Sequence, residues 1–445
     1  MSSLFGIGGG GNVGASGAIY SHTIGQSLRF DEGRATNLTF TPSNTGTDNK
    51  KFTYSVWIKR GQESADDQHL IQSHNVGTGT GQGHVGLFID DSAKPPSLDV
   101  YSDNGSGIRT GTRSLRDFTA WMHICFVYDT TQATSSNRIR IYVNGNEDAG
   151  SGYYPGQDTT ISSMNVNGRK QYIGKYVQGL TRYFNGLMAE IHMVDGQALA
   201  PTDFAEESNG VWVPKEYADN GTTSHGINGY HLDFADSSAL GNDVSGNNND
   251  WTANNLVAED VVLDTPTNNF ATLNPLYHSS AQATLSEGNL KASTGGFVNA
   301  AHGYGAVSTF AIPKDKKIYI EVECTDQTGD LWSAGFATQS GLESGPSSTT
   351  VGGSNAITMY NRQVYINGSE NDYGSSAGLG GLGVARMAAG DILGMAIDGA
   401  TGKVWFSRNG TYFGAPIGHN SGAGSTGDPV AGTNEIGTIT GGTTE

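Results

Sequence analysis

Runs of residues that alternate apolar and polar, several of them closed by Asn-Gly, recur along this chain and limit what it can fold into. Thr53-Tyr54-Ser55-Val56-Trp57-Ile58-Lys59, Arg138-Ile139-Arg140-Ile141-Tyr142-Val143-Asn144-Gly145 and Lys403-Val404-Trp405-Phe406-Ser407-Arg408-Asn409-Gly410 follow this scheme. Successive side chains of a strand point to opposite faces, so one face of each run can enter a core while the other meets water. Asn-Gly accepts the positive φ angles of a tight hairpin turn, which makes the pairing antiparallel. Helical periodicity is nearly absent; the one short helix expected lies at Pro201-Thr202-Asp203-Phe204-Ala205-Glu206-Glu207. These runs imply β-sandwiches, a scaffold that displays loops for binding more often than it houses chemistry.

A chain of 445 residues is too long for one sandwich and suits two or three domains. Its 65 glycines are spread without a three-residue period, as many short strands joined by tight turns would require. Asp and Glu number 43 against 25 Lys and Arg, a net charge of -18, which argues against a general nucleic-acid binder and favours solubility. Cys125 and Cys324 each sit in an apolar strand with no CxxC, so two buried thiols and a reducing site of folding are expected. No apolar run approaches the ~20 residues needed to span a bilayer, so no membrane insertion is expected. Met1-Ser2-Ser3-Leu4-Phe5-Gly6 lacks the basic start and apolar core of a signal peptide, so the expectation is a soluble protein that does not use the Sec route.

Residues 1–24 are Gly-rich, with Leu4, Phe5 and Ile7 among the few side chains able to anchor them. This reads as an arm that orders when docked on a partner. A first sandwich is expected over 25–208, with the apolar strand Trp121-Met122-His123-Ile124-Cys125-Phe126-Val127-Tyr128 in a sheet centre. Residues 209–285 are rich in Asn, Asp and Gly and read as a β connector or a partial module. A second sandwich is expected over 286–445, opening with Lys317-Ile318-Tyr319-Ile320-Glu321-Val322-Glu323.

Three stretches of the first region, "FTYSVWIK" at 52–59, "WMHICFVYD" followed by "RIRIYVNG", and "YFNGLMAEIHMVDGQAL" at 183–199, resemble the laminin-G-like, concanavalin A-type sandwich. The stretches "YIEVE", "WSAGFAT" and "GDILGMAID…GKVWFSRNGTYFG" are similar to the SPRY domain, whose last strand is here degenerate or lies beyond a chain that is part of something longer. The resemblance implies an all-β chain of two antiparallel, jelly-roll-like β-sandwich domains behind a Gly-rich arm. The combination resembles virion appendage proteins of tailed bacteriophages, of the tail-fibre or head- or neck-fibre type. That resemblance implies attachment to other virion proteins through the arm, exposure on the particle after synthesis in the host cytoplasm, and presence in many copies or as a homo-oligomer.

Candidate chemistry is sparse. Glu190 and His192 share a strand face, as a glycosidase nucleophile and its helper would, but position 192 is His and the carboxylate pair is incomplete. Calcium, the one cofactor considered, would suit the oxygen-rich loops at Asp90-Asp91, Asp103-Asn104 and Asp243 to Asp250, although Asx residues also serve turns; no ligand set is assigned. The histidines show no HxxxH spacing and no clustering with Cys, which argues against zinc. Tyr153, Tyr154, Tyr176, Tyr183 and Tyr373 could stack on sugar rings or pack at sandwich rims. The expectation is a non-enzymatic phage virion protein that recognises a bacterial surface glycan or protein. The alternatives are a head or neck decoration protein and, behind both, a polysaccharide depolymerase centred on Glu190.

Overall fold

The structure, a computed structural model, describes residues 20–74, 83–92, 95–101, 108–176, 182–218, 225–278, 284–293, 306–326, 333–343, 355–360, 363–367, 369–372, 387–413 and 426–439. The chain divides into two compact units, one of residues 11–270 with 285–291, the other of 1–10, 271–284 and 292–445. Leu4, Phe5, Ile7 and Tyr373 lie outside the described residues.

The first unit is a sandwich of two antiparallel sheets. Its strands are β1 Ser27–Phe30, β2 Asn37–Phe40, β3 Lys51–Arg60, β4 Gln68–His74, β5 His84–Asp90 and β6 Ser97–Tyr101. They continue with β7 Ile108–Thr110, β8 Met122–Asp129, β9 Ile139–Val143, β10 Asn146–Glu147, β11 Ser151–Gly152 and β12 Gln171–Ile173. The last are β13 Gly186–Asp195, β14 Ala205–Ser208, β15 Val211–Pro214, β16 Tyr230–Leu232, β17 Thr252–Asn254 and β18 Val261–Val262. One sheet runs β10-β9-β8-β3-β13-β1-β18, with β16 also on β13; the other runs β11-β7-β6-β5-β4-β12-β2-β17.

Between the sheets lies a continuous apolar core that includes Leu38, Phe52, Tyr54, Ile71, Leu87, Phe126, Met188 and Trp251. Phe52 stacks on Tyr128 with centroids 5.4 Å apart, the kind of aromatic pair worth roughly 0.5–1.5 kcal/mol beyond its buried area. Strand β8 lies between β3 and β9 and is buried along its whole length, as expected for a strand apolar on both faces. Its second face contributes Cys125 and Val127 to a separate cluster with Val194 and Phe204.

The Asn-Gly turns behave as their chemistry dictates: Asn144 and Gly145 take φ of 47° and 75°, Asn409 and Gly410 take 50° and 83°. Gly145 is also needed for space, since a Cβ there would come within 2.6 Å of the Trp212 ring. The helix expected at 201–207 is instead a 3-10 turn at Pro201–Asp203 followed by β14. Asn209-Gly210, with φ of 52° and 79°, closes a hairpin between β14 and β15, and the cross-strand hydrogen bonds of Ala205–Ser208 replace a helical ladder.

Residues 209–270, most of the 209–285 stretch expected as a β connector or a partial module, supply strands to both sheets of this sandwich. β16 pairs with β13, β17 covers the β2 edge, and β18 covers the β1 edge. Buried ion pairs fix the segment further. Lys59 Nζ lies 2.7 Å from Asp264 and 2.6 Å from the Phe270 carbonyl oxygen, and Trp121 Nε1 donates to Asp264 at 2.8 Å. Arg29 pairs with Asp260 at 3.0 Å.

The second unit is also a sandwich. Lys317–Glu323, Ile392–Asp398, Lys403–Arg408 and Thr411–Tyr412 form one sheet, which Gly437–Thr438 joins as a short late strand on Lys403–Arg408. Ser333–Ala337, Ala356–Tyr360, Gln363–Ile366 and Ser369–Asp372 form the other. Ile357, Met359 and Val364 meet Met395, Val404 and Phe406 in its core. The only α-helix among the described residues is Gln339–Glu343, and no described helix is long and apolar enough to cross a membrane. Both cysteines are free and buried.

Candidate functional site

Alternation along β2 and β12 sends Leu38 and Ile173 into the core and leaves Asn37, Thr39 and Tyr172 on the outer face of the second sheet. β17 adds Asn254 directly opposite Asn37. Past β12, Lys175 pairs with Tyr183 in an isolated antiparallel bridge, which brings a second tyrosine to the same place. Asn37, Lys170, Tyr172, Lys175, Tyr183 and Asn254 line an open groove of 330 Å³.

Lys170 Nζ sits 5.5 Å from the Tyr172 ring centre and Lys175 Nζ 5.3 Å from that of Tyr183, within range of cation–π attraction. Among the described residues neither lysine forms an ion pair with a carboxylate. Asn37 donates to the Ala35 carbonyl oxygen at 3.0 Å, and Asn254 donates to the Thr252 carbonyl oxygen at 3.1 Å, which fixes both amide planes. The groove thus offers aromatic rings, oriented amides and two cations without a carboxylate in its lining. That set can stack on sugar rings, hydrogen-bond hydroxyls and attract an anion.

On the same face, His69, Phe88, Tyr101 and Tyr176 form a ring cluster: His69 lies 5.0 Å from Phe88 and 4.7 Å from Tyr176, and Phe88 stacks on Tyr101 at 4.5 Å. Arg182 covers Tyr176 at 5.6 Å and forms an ion pair with Asp67 at 2.5 Å. Burial takes the His69 imidazole down to about 3, so it stays neutral, and the cluster is packed. Tyr176 serves that packing. Tyr154 rests against the core and donates to the Gly150 carbonyl oxygen at 3.2 Å, while Tyr153 is half-buried beside it. Of the tyrosines expected to meet sugar, Tyr183 alone among those described lines the groove, with Tyr172, which the sequence reading had passed over.

On the outer face of the other sheet, β13 carries a bulge. Its register against β3 shifts between Ala189 and His192, and Glu190 takes φ of 47°. Glu190 Oε2 lies 2.9 Å from His231 Nε2, 3.4 Å from His192 Nε2 and 3.8 Å from His22 Nε2. His231 reaches this point because it stands directly opposite His192 in the β13–β16 pair, their rings 4.0 Å apart and nearly parallel. Burial pushes the Glu190 carboxyl up, but contacts from His192, His22 and His231 outweigh it and hold the group well below the usual carboxylate range. His192 is driven down to about 3 by burial. A glycosidase needs a second carboxylate beside the first, and the partners of Glu190 here are imidazoles.

One serine–histidine contact invites a test for nucleophilic chemistry. Ser55 Oγ lies 2.8 Å from His123 Nε2, both buried. Trp212 Nε1, which can only donate, occupies His123 Nδ1 at 3.1 Å, so the proton of this neutral imidazole resides on Nε2 and points at Ser55. That tautomer cannot take the serine proton, and burial, which lowers His123 to about 3, keeps the ring neutral.

The acidic loops considered for calcium have local work. Asp91 pairs with Arg60 at 2.5 Å, and Asp90 accepts from the Ser92 amide at 2.9 Å. Asp243 accepts from the His231, Ser245 and Asn249 amides, and Asp250 accepts from the Asp243 amide. Asp103-Asn104 lies outside the described residues.

Residues 32–203 match the family described as the Concanavalin A-like lectin/glucanases superfamily, of laminin G type. No curated protein matches the chain. Among solved structures, the heptameric SAP-like pentraxin of Limulus polyphemus is 16% identical, the match covering 42% of this chain and 81% of that one with a TM-score of 0.30. Domains LG4-5 of the mouse laminin alpha1 chain are 11% identical over 93% of this chain and 82% of that one, TM-score 0.31. The CBM40 module of the Ruminococcus gnavus IT-sialidase, solved with alpha2,3 sialyllactose, is 12% identical over 42% of this chain and 97% of that one, TM-score 0.27.

Proposed function

We propose that this chain recognises an acidic glycan through the groove of Tyr172, Tyr183, Lys170 and Lys175, and that it binds without cleaving. The observation that carries this reading is a pair of lysines without ion-pair partners among the described residues, set over tyrosines, in a protein whose net charge is -18. A groove that concentrates cations against that background favours a carboxylated, sulfated or phosphorylated sugar over a neutral one. The lectin and glucanase family match over 32–203 supports a carbohydrate ligand. The lack of a carboxylate in the groove lining, and the imidazole surroundings of Glu190, favour binding over hydrolysis.

The setting we propose is a projecting virion appendage of a tailed phage that holds a bacterial surface polysaccharide. Its support is the sequence resemblance alone: a Gly-rich arm, a laminin-G-like sandwich and a SPRY-like sandwich in one chain. Many copies on one particle would turn weak single contacts into firm attachment by raising effective concentration.

The test is binding of the full chain to an array of bacterial capsular and lipopolysaccharide oligosaccharides. Uronate- or sialate-bearing sugars are expected to bind and neutral ones to fail. Tyr183→Ala should weaken the best ligand by about tenfold or more, the loss of one aromatic stacking partner. Equal binding of neutral sugars, or an indifferent Tyr183→Ala, would contradict the reading.

A further inference from the structure

We propose that Glu190, His192 and His231, with His22 closing the set, form a binding site for a divalent transition metal of the zinc type. Their ligand atoms face one point: those of Glu190, His192 and His231 all lie within 4.8 Å of one another. The Oε2–Nε2 separations of 2.9 and 3.4 Å bracket the ~3.3 Å edge of a tetrahedron built on metal–ligand bonds of about 2.0 Å. His22 Nε2 stands 3.8 Å from the same oxygen, and this buried atom has no hydrogen-bond partner among the described residues. A small closure of His22 would complete four coordination.

The second layer is also in place. His192 Nδ1 lies 3.2 Å from His225 Nε2, so a proton on Nδ1 can be donated to His225 and leaves the Nε2 lone pair facing Glu190. A neutral imidazole and an ionised carboxylate are the forms that ligate such an ion. Imidazoles with one carboxylate suit zinc, nickel, copper or cobalt, whereas calcium asks for six to eight oxygens.

Such a site is a clamp. Glu190 and His192 come from β13, His231 from β16, and His22 from the stretch before β1. A bound ion would tie the root of the N-terminal arm and the 209–270 segment to the central sheet. The site lies on the other sheet from the groove and does not depend on the glycan reading.

The experiment uses the full chain, stripped by chelator dialysis and then given zinc chloride. One retained zinc per chain by mass spectrometry after gel filtration is expected, unaffected by excess calcium, with a melting temperature several degrees higher than the stripped protein. Cobalt in its place should give the visible absorption of a four-coordinate ion. Glu190→Gln and His231→Ala should each weaken zinc binding about a hundredfold. His22→Ala, outside any strand, should weaken it too and serves should the strand variants misfold. No retained zinc, or retention unchanged in these variants, would overturn the proposal. So would loss of zinc in His84→Ala, which would move the ion to the His74–His84 pair, whose rings are 5.7 Å apart on the other sheet.

Discussion

Buried histidines set the residue-scale behaviour of this sandwich. Burial lowers His69, His123 and His192 to about 3 each, from an ordinary value near 6.5. In the unfolded chain these groups take up protons below pH 6.5; folded, they decline them until about pH 3. They therefore contribute stability that is fully present above pH 6.5 and lost as the pH falls toward 3. Nuclear magnetic resonance of the imidazole protons should show these three flat between pH 5 and 8. A titration of His123 in that window would contradict the Trp212–His123–Ser55 arrangement. None of this was legible in the sequence. His123 reads there as one residue of an apolar strand, and its two partners are 68 and 89 positions away.

At the scale of elements, local signals were read well and distant ones were not. Alternation and Asn-Gly chemistry located β3, β9 and the Lys403–Arg408 strand, because both act within a few residues. The same Asn-Gly signal at Asn209-Gly210 was available and would have replaced the helix expected at 201–207. The register of β16 on β13 was not available, because no local feature of Tyr230-His231-Leu232 names its partner strand. HxxxH spacing therefore does not mark a cluster whose residues meet across a sheet and beside a bulge. The 209–270 segment makes a sharper test. Asp264→Ala would leave Lys59 buried without its carboxylate, a loss of about 3–5 kcal/mol. Urea unfolding should register it as a large fall in midpoint; a loss under about 1 kcal/mol would mean that the segment is a mere tether.

For the whole molecule, the second sheet of the first sandwich carries the proposed recognition groove and the first sheet carries the proposed clamp. Tyr183, a sequence candidate for sugar contact, lines the groove, but the groove itself was not legible. Its walls come from β2, β12 and β17, and β17 belongs to a segment that composition alone marks as connector. Binding of an anionic sugar in that groove is the activity on which the proposed function depends. The most direct measurement is a calorimetric titration of one acidic oligosaccharide into the wild-type chain and into Lys170→Glu/Lys175→Glu at two salt concentrations. Wild-type affinity should fall as salt rises, and the charge-reversed protein, still folded by circular dichroism, should show no heat of binding. Equal affinity in the two proteins, insensitive to salt, would contradict it.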